Sequence, residues 1–143
     1  MNIFNSRHIV ISGLVLWISL IATLNIFGQS IKLQVVTTKV EKNMKYKNGQ
    51  ILSVEGEKSE VNIMPWDENY ISIVLTLSAQ HPERAVAEED LGHFEYSFEN
   101  TTDTIFIRNS IIAKEESLRS GLQAFYTIML PKNCSVKLNN YFG

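Results

Sequence analysis

The pattern of apolar and polar positions changes once along the chain, near Gln29. Upstream, Ile9 to Phe27 reads IVISGLVLWISLIATLNIF and contains no charged residue. Its 19 residues are about the length of one bilayer span. A helix with this composition has no polar face, which argues against the alternative of a buried helix in a soluble protein. Arg7 is the one fixed positive charge before it, and Gly28-Gln29 offers a small-then-polar junction. These features fit a signal peptide, although Ile26, three residues before the cut, is larger than such a site prefers. An uncleaved N-terminal membrane anchor over residues 1–28 is the alternative, since the apolar run is longer than a typical signal-peptide core. Either way the positive-inside tendency keeps Arg7 cytoplasmic and sends residues 29–143 outward. The expectation is an extracytoplasmic protein, periplasmic or at the cell surface, secreted or held by its N-terminal helix.

Downstream the period becomes two. Val36, Thr38, Val40, Lys42, Met44 and Tyr46 alternate with polar neighbours, as a strand requires. Lys47-Asn48-Gly49-Gln50 then supplies Asn-Gly, a strong hairpin signal, and Ile51 to Glu55 is the expected return strand. Gly56 to Ser59 reads as a turn, Glu60 to Trp66 as a strand and Asp67-Glu68-Asn69 as a polar turn. From Tyr70 to Ser78 one face is wholly apolar: Ile71, Ile73, Leu75 and Leu77.

One helix is predicted, over Pro82 to Leu91. Pro82 suits a first helical position and Glu83 a first turn. Ala87, Leu91 and Phe94 would face the sheet, and Gly92 would end the helix in the left-handed conformation. Further strands are expected at Phe94-Tyr96-Phe98, Thr104 to Ile112, Ala124 to Leu130 and Cys134 to Phe142, with a loop at Ser117 to Gly121. In the last strand Cys134, Val136, Leu138, Asn140 and Phe142 share a face. Such a strand left at an open edge is normally blocked or covered. That predicts a domain incomplete at its C-terminus, or completed by another chain. The fold class is therefore mainly β, with antiparallel strands, one short helix and a separate N-terminal hydrophobic helix.

Composition narrows the partners. All 15 carboxylates and all but Arg7 of the 13 basic residues lie after Gln29, so the exported part carries a net charge of −3. That is no electrostatic footprint for nucleic acid. A single cysteine, Cys134, excludes an intrachain disulfide, so the domain must stand on its core.

Several segments, taken in order, resemble a known family. They are Trp66-Asp67 before a strand, Ala85 to Leu91, Phe94-Glu-Tyr-Ser-Phe98, Ile105-Phe-Ile-Arg-Asn109 and Tyr126-Thr-Ile-Met-Leu-Pro131. Ser135-Val-Lys-Leu-Asn-Asn140 with Phe142-Gly143 completes the series. Together, over most of residues 36–143, this order resembles the adhesin β-solenoid family of bacterial envelope proteins. The resemblance implies that the last segment opens the first rung of a stack of short β-coils. It also implies a structural or adhesion-like role, and it brings no catalytic residue with it.

The candidate chemistry is sparse, and no residue is assigned a catalytic, cofactor-binding or metal-binding role. Cys134 is expected on an apolar face, where a thiol is usually inert. His81 and His93 with Glu88, Glu89 and Asp90 could be drawn as a metal cluster. The two histidines flank the helix at opposite ends, however, and metal ligands must converge. The acidic run reads as a solvated face, with Arg84 and Glu88 as an i, i+4 pair. Trp66 and Tyr141 are the aromatics that a glycan could stack on. The alternative for Trp66 is packing at a strand end, with Asp67 capping a turn through its own side chain. Asn100-Thr-Thr102 and Asn133-Cys-Ser135 match the glycosylation sequon, a motif that recurs by chance. The function expected is that of a non-catalytic envelope protein requiring no cofactor. An extracytoplasmic module binding a glycan or a protein is the alternative.

Overall fold

A computed structural model describes residues 31–114 and 117–141. The apolar segment Ile9 to Phe27, and with it the predicted N-terminal helix, lies outside the described residues, as do Phe142 and Gly143. Among the described residues no helix is long and apolar enough to cross a membrane.

The chain forms eight strands and one helix: β1 Gln34–Lys45, β2 Ile51–Glu57, β3 Ser59–Trp66, β4 Tyr70–His81, α1 Arg84–Leu91, β5 Phe94–Asn100, β6 Thr104–Ile111, β7 Gly121–Pro131 and β8 Ser135–Tyr141. They make two four-stranded sheets, ordered β1-β4-β7-β3 and β5-β6-β2-β8. We call them sheet 1 and sheet 2. The alternation in β4 works as predicted: Ile71, Ile73, Leu75 and Leu77 are all buried. They join Leu52, Val54, Ile105, Ile107, Tyr126 and Ile128 in one apolar cluster.

The expectation of antiparallel strands holds only in part. β1–β4, β4–β7 and β5–β6 are antiparallel, but β2–β6, β2–β8 and β3–β7 are parallel. The predicted β1–β2 hairpin does not form. Asn48-Gly49 does turn the chain, with Gly49 at φ +94 and Gln50 N–H donating to the Lys47 carbonyl at 3.0 Å. The turn, however, carries the chain from sheet 1 to sheet 2. Buried Gln50 fixes that crossing by donating from Nε2 to Asn100 Oδ1 at 2.9 Å and to the Thr101 carbonyl at 2.6 Å. β2 then lies between two parallel neighbours, where both Leu52 and Val54 are fully buried.

The parallel pairs follow one plan. β2 passes through a corner at Lys58 into β3, crossing from sheet 2 to sheet 1. β6 leads to β7 with the same crossing, and β6–β7 lies beside β2–β3 strand for strand. β8 lies on the other side of β2 in the same orientation.

The helix differs from its prediction at both ends. It begins at Arg84, so Pro82 and Glu83 stand outside it, and Glu83 makes no side-chain capping bond. Gly92 is right-handed, at φ −66. The predicted inner face is correct, with Ala87 and Phe94 buried and Leu91 half-buried. The reading of a solvated acidic face holds for Glu88 and Glu89, which are exposed, but not for Asp90. It is only 1% exposed and accepts N–H bonds from Arg119 at 2.9 Å and Ser120 at 2.7 Å. The carboxylate thereby ties α1 to the segment leading into β7.

Candidate functional site

The two sides of the sandwich are finished differently. On one side β1 is the edge of sheet 1. Its inner-face residues include Thr38 and Lys42, both exposed, opposite Leu77 and Ile73 of β4. A lysine on the inner face of an edge strand discourages further pairing. α1 also packs on β1 and β4.

On the other side β3 and β8 are the edges, and their inner faces carry no charge. Val136 and Leu138 of β8 lie opposite buried Leu52 and Val54, yet are 39% and 49% exposed. Val61 and Ile63 of β3 lie opposite buried Tyr126 and Ile128 and are themselves half-buried. A groove of about 470 Å³ runs between the two edges, lined by Lys58, Val61, Leu122, Gln123, Leu138 and Asn140 among others.

The corner beside this groove is held by polar groups. Lys58 has φ +47, the left-handed region that non-glycine residues avoid. Its N–H donates to the Tyr141 carbonyl at 2.9 Å, and its carbonyl accepts from Ala124 N–H at 2.9 Å. Asn109, Gly56 and Asn140 are in register across β6, β2 and β8. Asn109 Nδ2 donates to the Glu57 carbonyl at 2.8 Å, and Asn140 Nδ2 to the Ser59 carbonyl at 2.5 Å. Ser59 Oγ donates to Asn140 Oδ1 at 2.9 Å. A side chain on Gly56 would collide with Ser59, whose Cβ would lie 2.8 Å from the added carbon. Glycine is therefore the residue that lets the corner close. Tyr126 reaches across from sheet 1 and donates its hydroxyl to Asn109 Oδ1 at 2.9 Å. Burial pushes this phenol up, so it acts as a neutral donor.

Outside sheet 2, next to the same corner, is a second depression of about 440 Å³ lined by Glu55, Glu57, Arg108, Asn109, Ser110 and Tyr141. Tyr141 is 58% exposed there. Arg108 pairs with Glu55 at 3.1 Å and Glu99 at 3.3 Å and lies 4.3 Å above the Phe106 ring. Glu57 accepts from Ile111 N–H at 2.9 Å.

The residues weighed from sequence are scattered. Trp66 is half-buried, donates its indole N–H to the Tyr70 carbonyl at 2.9 Å and packs edge-on against the Tyr70 ring. It ends β3, seven residues beyond Ser59, which at about 3.3 Å per residue is roughly 23 Å along the strand. Trp66 and Tyr141 therefore form no common row. Asp67 pairs with Lys132 at 2.6 Å. Cys134 precedes β8 instead of lying within it, half-buried, and burial pushes its thiol up. His81 Nδ1 accepts from Glu83 N–H at 3.0 Å. Glu88 pairs with Arg84 and Glu89 with Arg119. Among the described residues no three His, Cys, Asp or Glu side chains converge to hold a metal ion. Asn100 donates to the Lys45 carbonyl and Asn133 to Asn48, so both sequon amides are engaged in the fold. The Lys58 corner and the two asparagines beside it were not apparent in the sequence. The matching spacing of Asn109 and Asn140 within their strands is the one signal that points to them.

No family model, curated protein or solved structure matches the chain.

Proposed function

We propose that the chain is a non-catalytic, exported envelope protein with a structural or adhesion-like role, built in the manner of the adhesin β-solenoid proteins it resembles. In this reading β8 is the first strand of a solenoid rung, stacked on the β2–β3 coil as β2–β3 is stacked on β6–β7. The observation that carries it is the open side, where two edge strands expose the apolar inner-face residues Val136, Leu138, Val61 and Ile63. Water on those residues is unfavourable, and another pair of strands laid parallel to β8 and β3 would remove it. The Lys58–Tyr141 bond supports the register, since β8 already follows the corner that such a rung repeats. The apolar Ile9 to Phe27 segment supports export, as signal peptide or anchor, and with it a periplasmic or surface location for the stack.

Protease accessibility tests the export step. The full chain carrying a C-terminal epitope is expressed in a bacterial host, and protease is added outside. We expect the epitope to be lost in intact cells or once the outer membrane is permeabilised, while a cytoplasmic marker survives. An epitope protected until the cells are lysed would overturn the reading.

Tyr141 favours a second reading. Its exposed ring beside Glu55, Glu57 and Arg108 has the makings of a sugar site, with a stacking face and polar groups to fix hydroxyls. Binding of a soluble oligosaccharide that is lost in Tyr141→Ala but kept in Trp66→Phe would support it. Equal binding by the two variants would exclude it.

A further inference from the structure

The outer faces of the two sheets differ in charge. Sheet 2 turns Glu55, Glu57, Glu95, Glu99, Arg108 and Lys137 outward. In sheet 1 the two central strands, β4 and β7, contain no Asp, Glu, Lys or Arg at all. Their outward residues include Ser72, Val74, Thr76, Phe125, Thr127 and Met129. Phe125 is 37% exposed, and Met64 on the neighbouring β3 is 40% exposed. A solvated face has no reason to exclude charge, whereas the centre of an interface does.

Charge returns only on the flanking strands, as Glu60 on β3 and as Lys39, Glu41 and Lys45 on β1. Glu60 of β3 lies beside Phe125, Phe125 beside Thr76, and Thr76 beside Lys39 of β1. One row across the sheet thus runs from a carboxylate, over two uncharged residues, to an ammonium. Consider a second copy placed face to face, related by a two-fold axis parallel to the strands between β4 and β7. That operation lays β3 on the copy's β1 and β7 on its β4 without changing position along the strand. Each Glu60 then meets the other copy's Lys39, twice by symmetry, and each Phe125 meets a Thr76. A two-fold axis across the strands would instead lay β3 on β3 and β1 on β1, and would lose both pairings. Aligned sheets cross at about 30°, a shift at the flanking strands that long Glu and Lys side chains can span. Lys39 holds Glu41 within its own chain, but both are well exposed, and such pairs exchange partners at little cost.

We propose that the outer face of sheet 1 is a self-association surface, and that two copies of this chain dock through it with Glu60 facing Lys39. The footprint, about 19 Å by 24 Å from strand spacing and rise, is roughly 450 Å² per copy. That is small for a permanent dimer, so the association is reversible. Adding strands at β3 or β8 extends the sheets in their own planes and leaves this face free. The inference therefore does not depend on the proposed function.

Cysteine cross-linking in whole cells expressing the full chain tests it. All variants carry Cys134→Ser. Within one chain Glu60 and Lys39 are three strand spacings apart, about 14 Å, whereas facing sheets put each Glu60 about 10 Å from the other copy's Lys39, beyond the roughly 7 Å Cα separation of a disulfide but within reach of the short thiol cross-linker dibromobimane. Dibromobimane should join the Glu60→Cys/Lys39→Cys variant into a covalent dimer, and should join neither single-cysteine variant. Glu60→Lys alone should weaken association of the detergent-solubilised chain by roughly tenfold, and Glu60→Lys with Lys39→Glu should restore it. A double-cysteine chain that stays monomeric with the cross-linker would overturn the proposal. So would single-cysteine dimers as abundant as the double, or association lost in Leu138→Lys but unmoved in Glu60→Lys.

Discussion

Asp90 offers the sharpest physical test of the fold. Its carboxylate is 1% exposed and has no side-chain cation on it; Arg119 and Ser120 serve it through their backbone N–H groups, at 2.9 and 2.7 Å. Burial alone would raise its pKa, but the hydrogen bonds from Ser120 and Arg119 outweigh burial and leave it below the usual aspartate value. Each hydrogen bond to a charged group contributes about 1.5–3 kcal/mol. Asp90→Ala strands both donors and should cost about 3 kcal/mol. Asp90→Asn keeps an acceptor oxygen, loses the charge and should cost about 1.5–2 kcal/mol. For a domain of this size 3 kcal/mol corresponds to a drop in melting temperature of roughly 12–24 °C.

The pH dependence separates the carboxylate's charge from its shape. A depressed folded-state pKa means that the stabilisation is complete above the unfolded value, near 3.9, and is lost as pH falls through the folded value. The gap between the native chain and Asp90→Asn should thus be constant from pH 7 to about 5 and should shrink below about pH 4. Urea unfolding followed by circular dichroism, repeated across that range, measures it. A gap that persists unchanged to pH 2.5, or no gap at neutral pH, would refute the assignment of a charged, hydrogen-bonded Asp90.

Other consequences concern the corner and the thiol. Lys58→Gly relieves a left-handed φ of +47 while keeping both backbone bonds, and should stabilise the chain by about 1 kcal/mol in the same unfolding assay; a loss of stability would show that the lysine side chain matters more than the backbone. Gly56→Ala drives a methyl into Ser59 and should cost about 2 kcal/mol, with partial rescue by Ser59→Gly; an unaffected melting temperature would mean the corner is looser than drawn. Tyr126→Phe leaves Asn109 Oδ1 without its donor and should cost about 1–2 kcal/mol, again read by urea unfolding, whereas a neutral result would mean water replaces the hydroxyl. Cys134, half-buried with its pKa raised, should react with iodoacetamide at pH 7.4 more slowly than in urea-unfolded chain; equal rates would place it in open solvent.

How much of this could be read from the chain depends on how local the cause is. Ile71, Ile73, Leu75 and Leu77 announce β4 because a period of two with one apolar face is a property of adjacent residues, and every predicted strand is present. The partner of a strand is not such a property. Asn48-Gly49 reverses the chain for local steric reasons, but Leu52 and Val54 decide where the next strand lies, and they find their cover between β6 and β8. Those neighbours are some 50 and 80 residues away in sequence. Parallel pairing is illegible for the same reason. Asp90 was misread because its donors, Arg119 and Ser120, arrive 29 and 30 residues later, and until they do a carboxylate next to Glu88 and Glu89 has every mark of a solvated one. The absence of charge from β4 and β7 was visible from the start, but it had no meaning until the register put those strands side by side at the centre of one sheet. Once it did, the same alternation that identifies the core also separates two outer faces. One carries charge as a wet surface does. The other keeps it only at its margins, Glu60 on β3 and Lys39, Glu41 and Lys45 on β1, where a second copy of the same chain can set Glu60 against Lys39.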